Sequence, residues 1–117
     1  MDKRKITKLD NLKFEPFDKY GEPIAGWTWH KISFEEKTNF GSYISKLEPG
    51  TKTIPHIHTG HEEFLILDGE LIDSDGTVFK KGDFVCFKPN TTHSSYTKKG
   101  CLILTFMRGN NIQINKQ

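Results

Sequence analysis

Only two of the 117 residues are cysteine, Cys86 and Cys101. Their spacing fits no metal-ligand or redox pattern, and both lie in apolar stretches. They read as two buried free thiols rather than a disulfide or a redox pair. No apolar run approaches the roughly 20 residues that a membrane-spanning helix needs. The N-terminus carries charges but neither an apolar core nor a small-residue cleavage site, which argues against a signal peptide and for a cytoplasmic protein. A marked excess of either charge sign is missing as well. A net charge of +2 gives no ground for a nucleic-acid or membrane partner. The cluster Lys3, Arg4, Lys5 and Lys8 reads as a solvated chain end rather than a phosphate-binding arm. Heptads, internal repeats and sustained helical periodicity are missing, apart from a weak helical trace in residues 6–20.

What is present is aromatic mass and regular punctuation. Nine Phe, three Tyr and two Trp supply much of the apolar area in a chain that is only 34% hydrophobic. Short stretches of strand composition alternate with turn residues about every ten positions, which predicts an all-β sandwich or barrel. The predicted strands are Trp27 to Phe34, Gly41 to Leu47, Thr53 to His58, Glu63 to Leu67, Glu70 to Ile72, Phe84 to Phe87, His93 to Thr97 and Cys101 to Met107, with a short one at Asn111 to Ile114. Asp68-Gly69 between two apolar runs predicts a tight hairpin, and Asp75-Gly76 and Lys81-Gly82-Asp83 two more reversals. The division that follows is an N-terminal arm, 1–26, a barrel, 27–108, and a mobile tail, 109–117. Phe64 to Leu67 and Cys101 to Met107 are apolar on both faces, unlike a strand with one wet side. Either the N-terminal segment or a second copy of the chain covers them, and a homodimer is the favoured solution.

Four residues carry the chemistry. His56 and His58 lie two apart on a predicted strand and therefore share a face. Glu62 follows, on the same face as Phe64 and Ile66 by alternation, and His93 comes later. Three imidazoles and a carboxylate suit one divalent cation, with zinc or iron(II) ahead of manganese, nickel and copper. The adjacent Glu63 is the competing carboxylate. Binding needs neutral histidines, so it should weaken as pH falls towards about 6.5. His61 reads as exposed or as a support to a ligand, and His30 as structural or at a pocket rim. Trp27, Trp29, Phe40 and Tyr43 are core residues or pocket walls. No acid or base beyond the metal ligands stands out; Tyr43, Tyr96 and Cys101 are no more than candidates.

These residues resemble the cupin motifs. Gly50, His56, His58, Glu62 and Gly69 match the first motif, G-x5-H-x-H-x3,4-E-x6-G, at every position. In the second, G-x5-P-x-G-x2-H-x3-N, Gly82 and His93 keep their separation. The proline has moved to Pro89, Asn90 replaces a glycine and Thr97 replaces the asparagine. Asn is the residue other than glycine that best tolerates a left-handed backbone. The run from His56 to Glu70, and Pro89 to His93 followed by Gly100-Cys101, is similar to ChrR-type cupins. The resemblance implies an antiparallel double-stranded β-helix (a jelly-roll barrel), with an N-terminal strand or arm exchanged or packed at a dimer interface. It also implies metal ligation by His56, His58, Glu62 and His93. ChrR-type cupins include the zinc-holding C-terminal domain of an anti-sigma factor and small dioxygenases that cleave diketones or hydroxylated aromatic ketones.

Three functions follow as expectations. The favoured one is a metal-dependent oxidoreductase of dioxygenase type acting on a small organic substrate. The alternative is a non-catalytic zinc-binding sensor or regulatory module; residues 1–26 are far too short to be the helical domain that grips a sigma factor. A third is a barrel merely held together by its metal.

Overall fold

The computed structural model describes residues 2–58, 60–109 and 111–113, without the side chains of 56–58 and 111–113. Eleven strands are present among the described residues: β1 Glu15–Pro16, β2 Trp27–Lys31, β3 Phe40–Leu47, β4 His56–His58, β5 His61–Asp73, β6 Val78–Lys80, β7 Phe84–Phe87, β8 Thr91–His93, β9 Ser95–Tyr96, β10 Cys101–Arg108 and β11 Asn111–Gln113. A single 3₁₀ turn, Leu9–Asn11, is the remnant of the helical trace expected in residues 6–20. Among the described residues no helix is long and apolar enough to cross a membrane.

The strands run antiparallel in two sheets. The larger has the order β1-β2-β3-β10-β5-β6, with β7 and β9 also paired to β5, and the smaller the order β11-β4-β8. The two central strands are apolar on both faces, yet burial alternates as a pleat requires. On β10, Cys101, Ile103, Thr105 and Met107 are buried, whereas Phe106 and Arg108 are exposed. On β5, Glu62, Phe64 and Ile66 point inward. The inner faces and the N-terminal segment form one core of Phe17, Trp27, Trp29, Tyr43, Leu47, Phe64, Ile66, Leu71, Cys101, Ile103 and Met107.

The N-terminal segment supplies more than an edge. β1 pairs with β2, Glu15 opposite Trp29. His30 Nδ1 lies 3.1 Å from both the backbone nitrogen and the backbone oxygen of Lys13, so this ring pins the arm. Phe17 is wholly buried, stacked on Trp27 with centroids 3.8 Å apart and planes 7° apart.

Three expectations change. Asp68-Gly69 is not a hairpin: β5 runs unbroken through it. The register against β10 slips between Leu102 and Ile103, leaving Leu67 as the extra residue of a bulge two positions before the glycine. Gly69 has φ +76°, and a Cβ there would stand 2.2 Å from the Gly100 carbonyl oxygen. The turn signal was real, but β5 absorbs it as an extra residue within its own pairing to β10. The predicted strands 27–34 and 53–58 shorten to β2 and β4, and His93 to Thr97 splits into the end of β8 and β9. Cys86 is exposed rather than buried, because it lies on the outer face of β7 opposite Glu63. Cys101 is buried, and both thiols are free. Of the tail, residues 110 and 114–117 lie outside the described residues.

Candidate metal centre

Glu62 and His93 come together inside the barrel. Glu62 enters from β5 through the same alternation that buries Phe64 and Ile66. His93 ends β8. Both are buried, at 6% and 8% exposure, and His93 Nε2 lies 3.8 Å from Glu62 Oε1. The His93 ring stacks on Phe87, with centroids 4.1 Å apart and planes 19° apart. Burial opposes the charged form of this ring. The hydrogen bond and charge of Glu62, and then the charge and hydrogen bond of Asp73, outweigh that and raise its pKa above the ordinary 6.5.

β4 lies beside β8 with His56 directly opposite His93 and His58 opposite Thr91. The backbone thus brings His56 to the strand position facing His93. The side chains of His56 and His58 lie outside the described residues, so their predicted shared face does too. Among the described residues no three His, Cys, Asp or Glu side chains gather as a metal-holding group. The donor chemistry of the described pair is nonetheless suited to a cation. Two donors each about 2.1 Å from one ion stand between roughly 3 and 4.2 Å apart, and 3.8 Å falls in that interval.

The pair opens on a cavity of about 50 Å³, lined also by Tyr20, Trp27, Tyr43, Phe64, Ser95 and Thr105. The lining combines apolar and aromatic side chains with a few polar ones, as small-molecule sites usually do. Burial, and secondarily the charge of Glu62, push the Tyr43 phenol well above 10, although a hydrogen bond with Thr105 opposes the shift. Tyr43 is therefore a proton-bearing donor at neutral pH. The sequence reading counted Trp27 and Tyr43 as possible walls, and both line the cavity. Trp29 packs in the core, and Phe40 is exposed. Tyr96 and Cys101 do not line this cavity. His61 is exposed, and Glu63 turns outward to accept from Cys86 Sγ at 3.2 Å, leaving Glu62 as the inward carboxylate.

Two residues went unnoticed in the sequence. Tyr20 closes one wall of the cavity from the N-terminal segment. Lys19, over the Tyr20 ring at 4.7 Å, has its pKa lowered by burial, against the pull of the Glu62 charge. No motif marks either; the aromatic-rich stretch Phe14 to Tyr20 was the one available signal.

The substituted motif positions have mechanical roles of their own. Asn90 has φ +68°. Thr97 is fully buried; its hydroxyl donates to the Glu70 carbonyl at 2.7 Å and accepts from the Gly100 amide at 3.0 Å.

A profile of the ChrR cupin-like domain matches residues 2–110. No curated protein sequence matches the chain. Among solved structures, an acetylacetone dioxygenase from Acinetobacter johnsonii superposes with a TM-score of 0.74 at 18% identity, over 99% of this chain and 85% of that one. The polyketide cyclase RemF from Streptomyces resistomycificus gives 0.75 at 19% identity, over 97% and 87%. The structure of Rhodobacter sphaeroides SigE in complex with the anti-sigma ChrR gives 0.65 at 18% identity, over 86% of this chain and 52% of that one. At these identities the likeness is one of fold.

Proposed function

The chain belongs to the ChrR cupin-like domain family, and on that premise we propose that it is a metal-binding cupin in which His56, His58, Glu62 and His93 hold one divalent cation. The observation that carries this reading is the buried Glu62–His93 pair at 3.8 Å, with His56 opposite His93 in the ladder. We propose further that the centre serves a dioxygenase-type oxidoreductase acting on a small organic molecule, with iron(II) or zinc ahead of manganese, nickel and copper as the ion. A redox-active ion bound there would supply oxygen activation and polarise a chelating substrate. The chain's own residues supply the rest. Glu62 and His93 offer fixed donors. Trp27 and Phe64 exclude water from the cavity wall, and the Tyr43 hydroxyl can donate to a substrate oxygen.

The alternative is a zinc-binding sensor or regulatory module. The small size of the cavity favours it: about 50 Å³ admits a few waters or a ligand of few atoms, less than most substrate pockets offer. The partners proposed are accordingly a small molecule and a second copy of the chain. The dimer would cover the outer sheet face, where Leu65, Leu67, Leu102 and Leu104 are half-buried and Phe84 and Phe106 exposed.

Elemental analysis of protein purified without added metal, together with oxygen uptake by the iron-loaded protein against diketones and hydroxylated ketones, tests the reading. Bound iron with uptake supports the oxygenase, and tightly held zinc without uptake supports the sensor. Unchanged metal content in His58→Ala would remove the ligand set. Light scattering of Leu104→Glu tests the dimer, whose mass should halve.

A further inference from the structure

Asp73 ends β5 in the stretch Asp73-Ser74-Asp75-Gly76, which reads as nothing more than a turn. Yet its carboxylate is buried, 8% exposed, and lies against His93. Oδ1 stands 3.2 Å from His93 Nδ1, 3.3 Å from Ser95 Oγ and 3.0 Å from the backbone nitrogen of Ser74. The backbone there is fixed on both sides. The Asp73 amide donates to the Thr77 carbonyl at 2.8 Å, the Ser74 amide to the Ser94 carbonyl at 2.9 Å, and Asp73 faces Ser95 in the β5–β9 ladder.

The proton on the ring can be placed from these contacts. A peptide N–H only donates, so the oxygen that receives the Ser74 amide is an acceptor. His93 Nδ1 must then carry the hydrogen in its bond to Oδ1. In the neutral form that binds a cation the imidazole has one N–H, so with that hydrogen on Nδ1 the Nε2 lone pair faces the site on the Glu62 side. Phe87 stacked on the ring blocks its rotation.

We infer that Asp73 is a positioning residue for the metal centre, holding His93 in the Nδ1–H tautomer with Nε2 directed at the cation. This rests on the ligand role given to His93 above. A carboxylate behind a ligating imidazole fixes its orientation and raises its basicity, and loss of such a partner weakens metal binding about 10–100-fold.

The test is a zinc competition titration against a chromophoric chelator for wild type, Asp73→Asn, Asp73→Ala and His93→Ala. Long-range ¹H–¹⁵N correlation spectra of the zinc-free proteins, recorded at a pH above the His93 pKa so that the ring is neutral, report its tautomer. Asp73→Asn preserves volume, so a purely packing role predicts wild-type behaviour from it, and it remains informative if Asp73→Ala does not fold. The expected result is zinc binding weaker by about tenfold or more in Asp73→Asn, with the His93 proton displaced towards Nε2. A smaller loss, or an Nδ1–H signature that persists, overturns the inference. The His93→Ala control separates the two levels. If it binds zinc like wild type, the ligand set itself fails. If it loses zinc while Asp73→Asn does not, only the role of Asp73 fails.

Discussion

Replacing Phe17 by Ala is expected to cost about 4 kcal/mol of stability, although the residue belongs to a segment that the sequence presents as an arm. The side chain is 0% exposed. It stacks on Trp27 at 3.8 Å, meets Trp29 edge-on at 4.7 Å and lies 6.2 Å from Tyr43. Phe-to-Ala truncation in a core costs about 3–5 kcal/mol, and the upper part of the range applies where neighbours cannot collapse. Trp27 and Trp29 are fixed in β2 and Tyr43 in β3, so the void would stay open. Single domains have about 5–15 kcal/mol in total, and at roughly 4 °C per kcal/mol the midpoint should fall by about 16 °C. Urea unfolding followed by tryptophan fluorescence measures it, with Phe17→Leu as the mild control. A loss under about 1.5 kcal/mol with an unchanged urea slope would refute the placement of Phe17 in the core.

Deleting residues 2–11 should cost less than about 1 kcal/mol by the same assay, because Ile6 and Leu9 are exposed and no residue of the 3₁₀ turn is buried. A thiol reagent at pH 8 should label Cys86 in the native protein and leave Cys101 unmodified until unfolding. Burial pushes the Cys101 thiol up to about 11, and the Glu63 hydrogen bond raises Cys86, so Glu63→Gln should speed labelling of Cys86. Two fast-reacting thiols in the native protein would contradict this. Stability of the metal-free protein should fall from pH 6 to pH 8 through His93. Its folded pKa lies above the ordinary 6.5, so the native state holds the extra proton. That contribution is complete below about pH 6.5 and is lost as pH rises through the folded value. Urea unfolding of chelator-treated wild type and His93→Gln at both pH values checks the sign, and equal slopes in the two proteins would refute it.

The inward carboxylate was legible because spacing on a strand encodes direction. Alternation separated Glu62 from Glu63, and the structure sends one into the cavity and the other to Cys86. The left-handed backbone at Asn90 was legible for a similar reason: few residue types tolerate it. Asp73 was hidden because nothing local distinguishes a carboxylate that supports an imidazole twenty positions away from one that begins a turn. Phe17 and Tyr20 were hidden because a segment poor in periodicity can still drop single aromatic rings into a barrel mouth. Cys86 misled because an apolar neighbourhood in sequence, Phe84 to Phe87, straddles both faces of a strand, and its own position falls on the outer one.

The misread hairpin at Asp68-Gly69 has the largest structural consequence, since β5 carries both carboxylates that meet His93. Glu62 and Asp73 are eleven residues apart on that strand, which a flat strand would make about 36 Å. Both nevertheless reach the two nitrogens of one imidazole, at 3.8 and 3.2 Å. The strand must curl between them, and the bulge at Leu67 with the left-handed Gly69 beside it lies within that interval. Before it β5 pairs with β7 and β10; after it the partners are β6 and β9. Gly69→Val is expected to fail at this point twice over. A β-branched residue is strained at φ +76°, and its Cβ would meet the Gly100 carbonyl oxygen, a backbone atom that cannot rotate away. Together these should cost about 2–5 kcal/mol. In protein that still folds, both carboxylates should move off His93, so zinc affinity should fall although no ligand has changed. A Gly69→Val protein with wild-type stability and wild-type zinc affinity would show that the curl of β5 does not depend on Gly69.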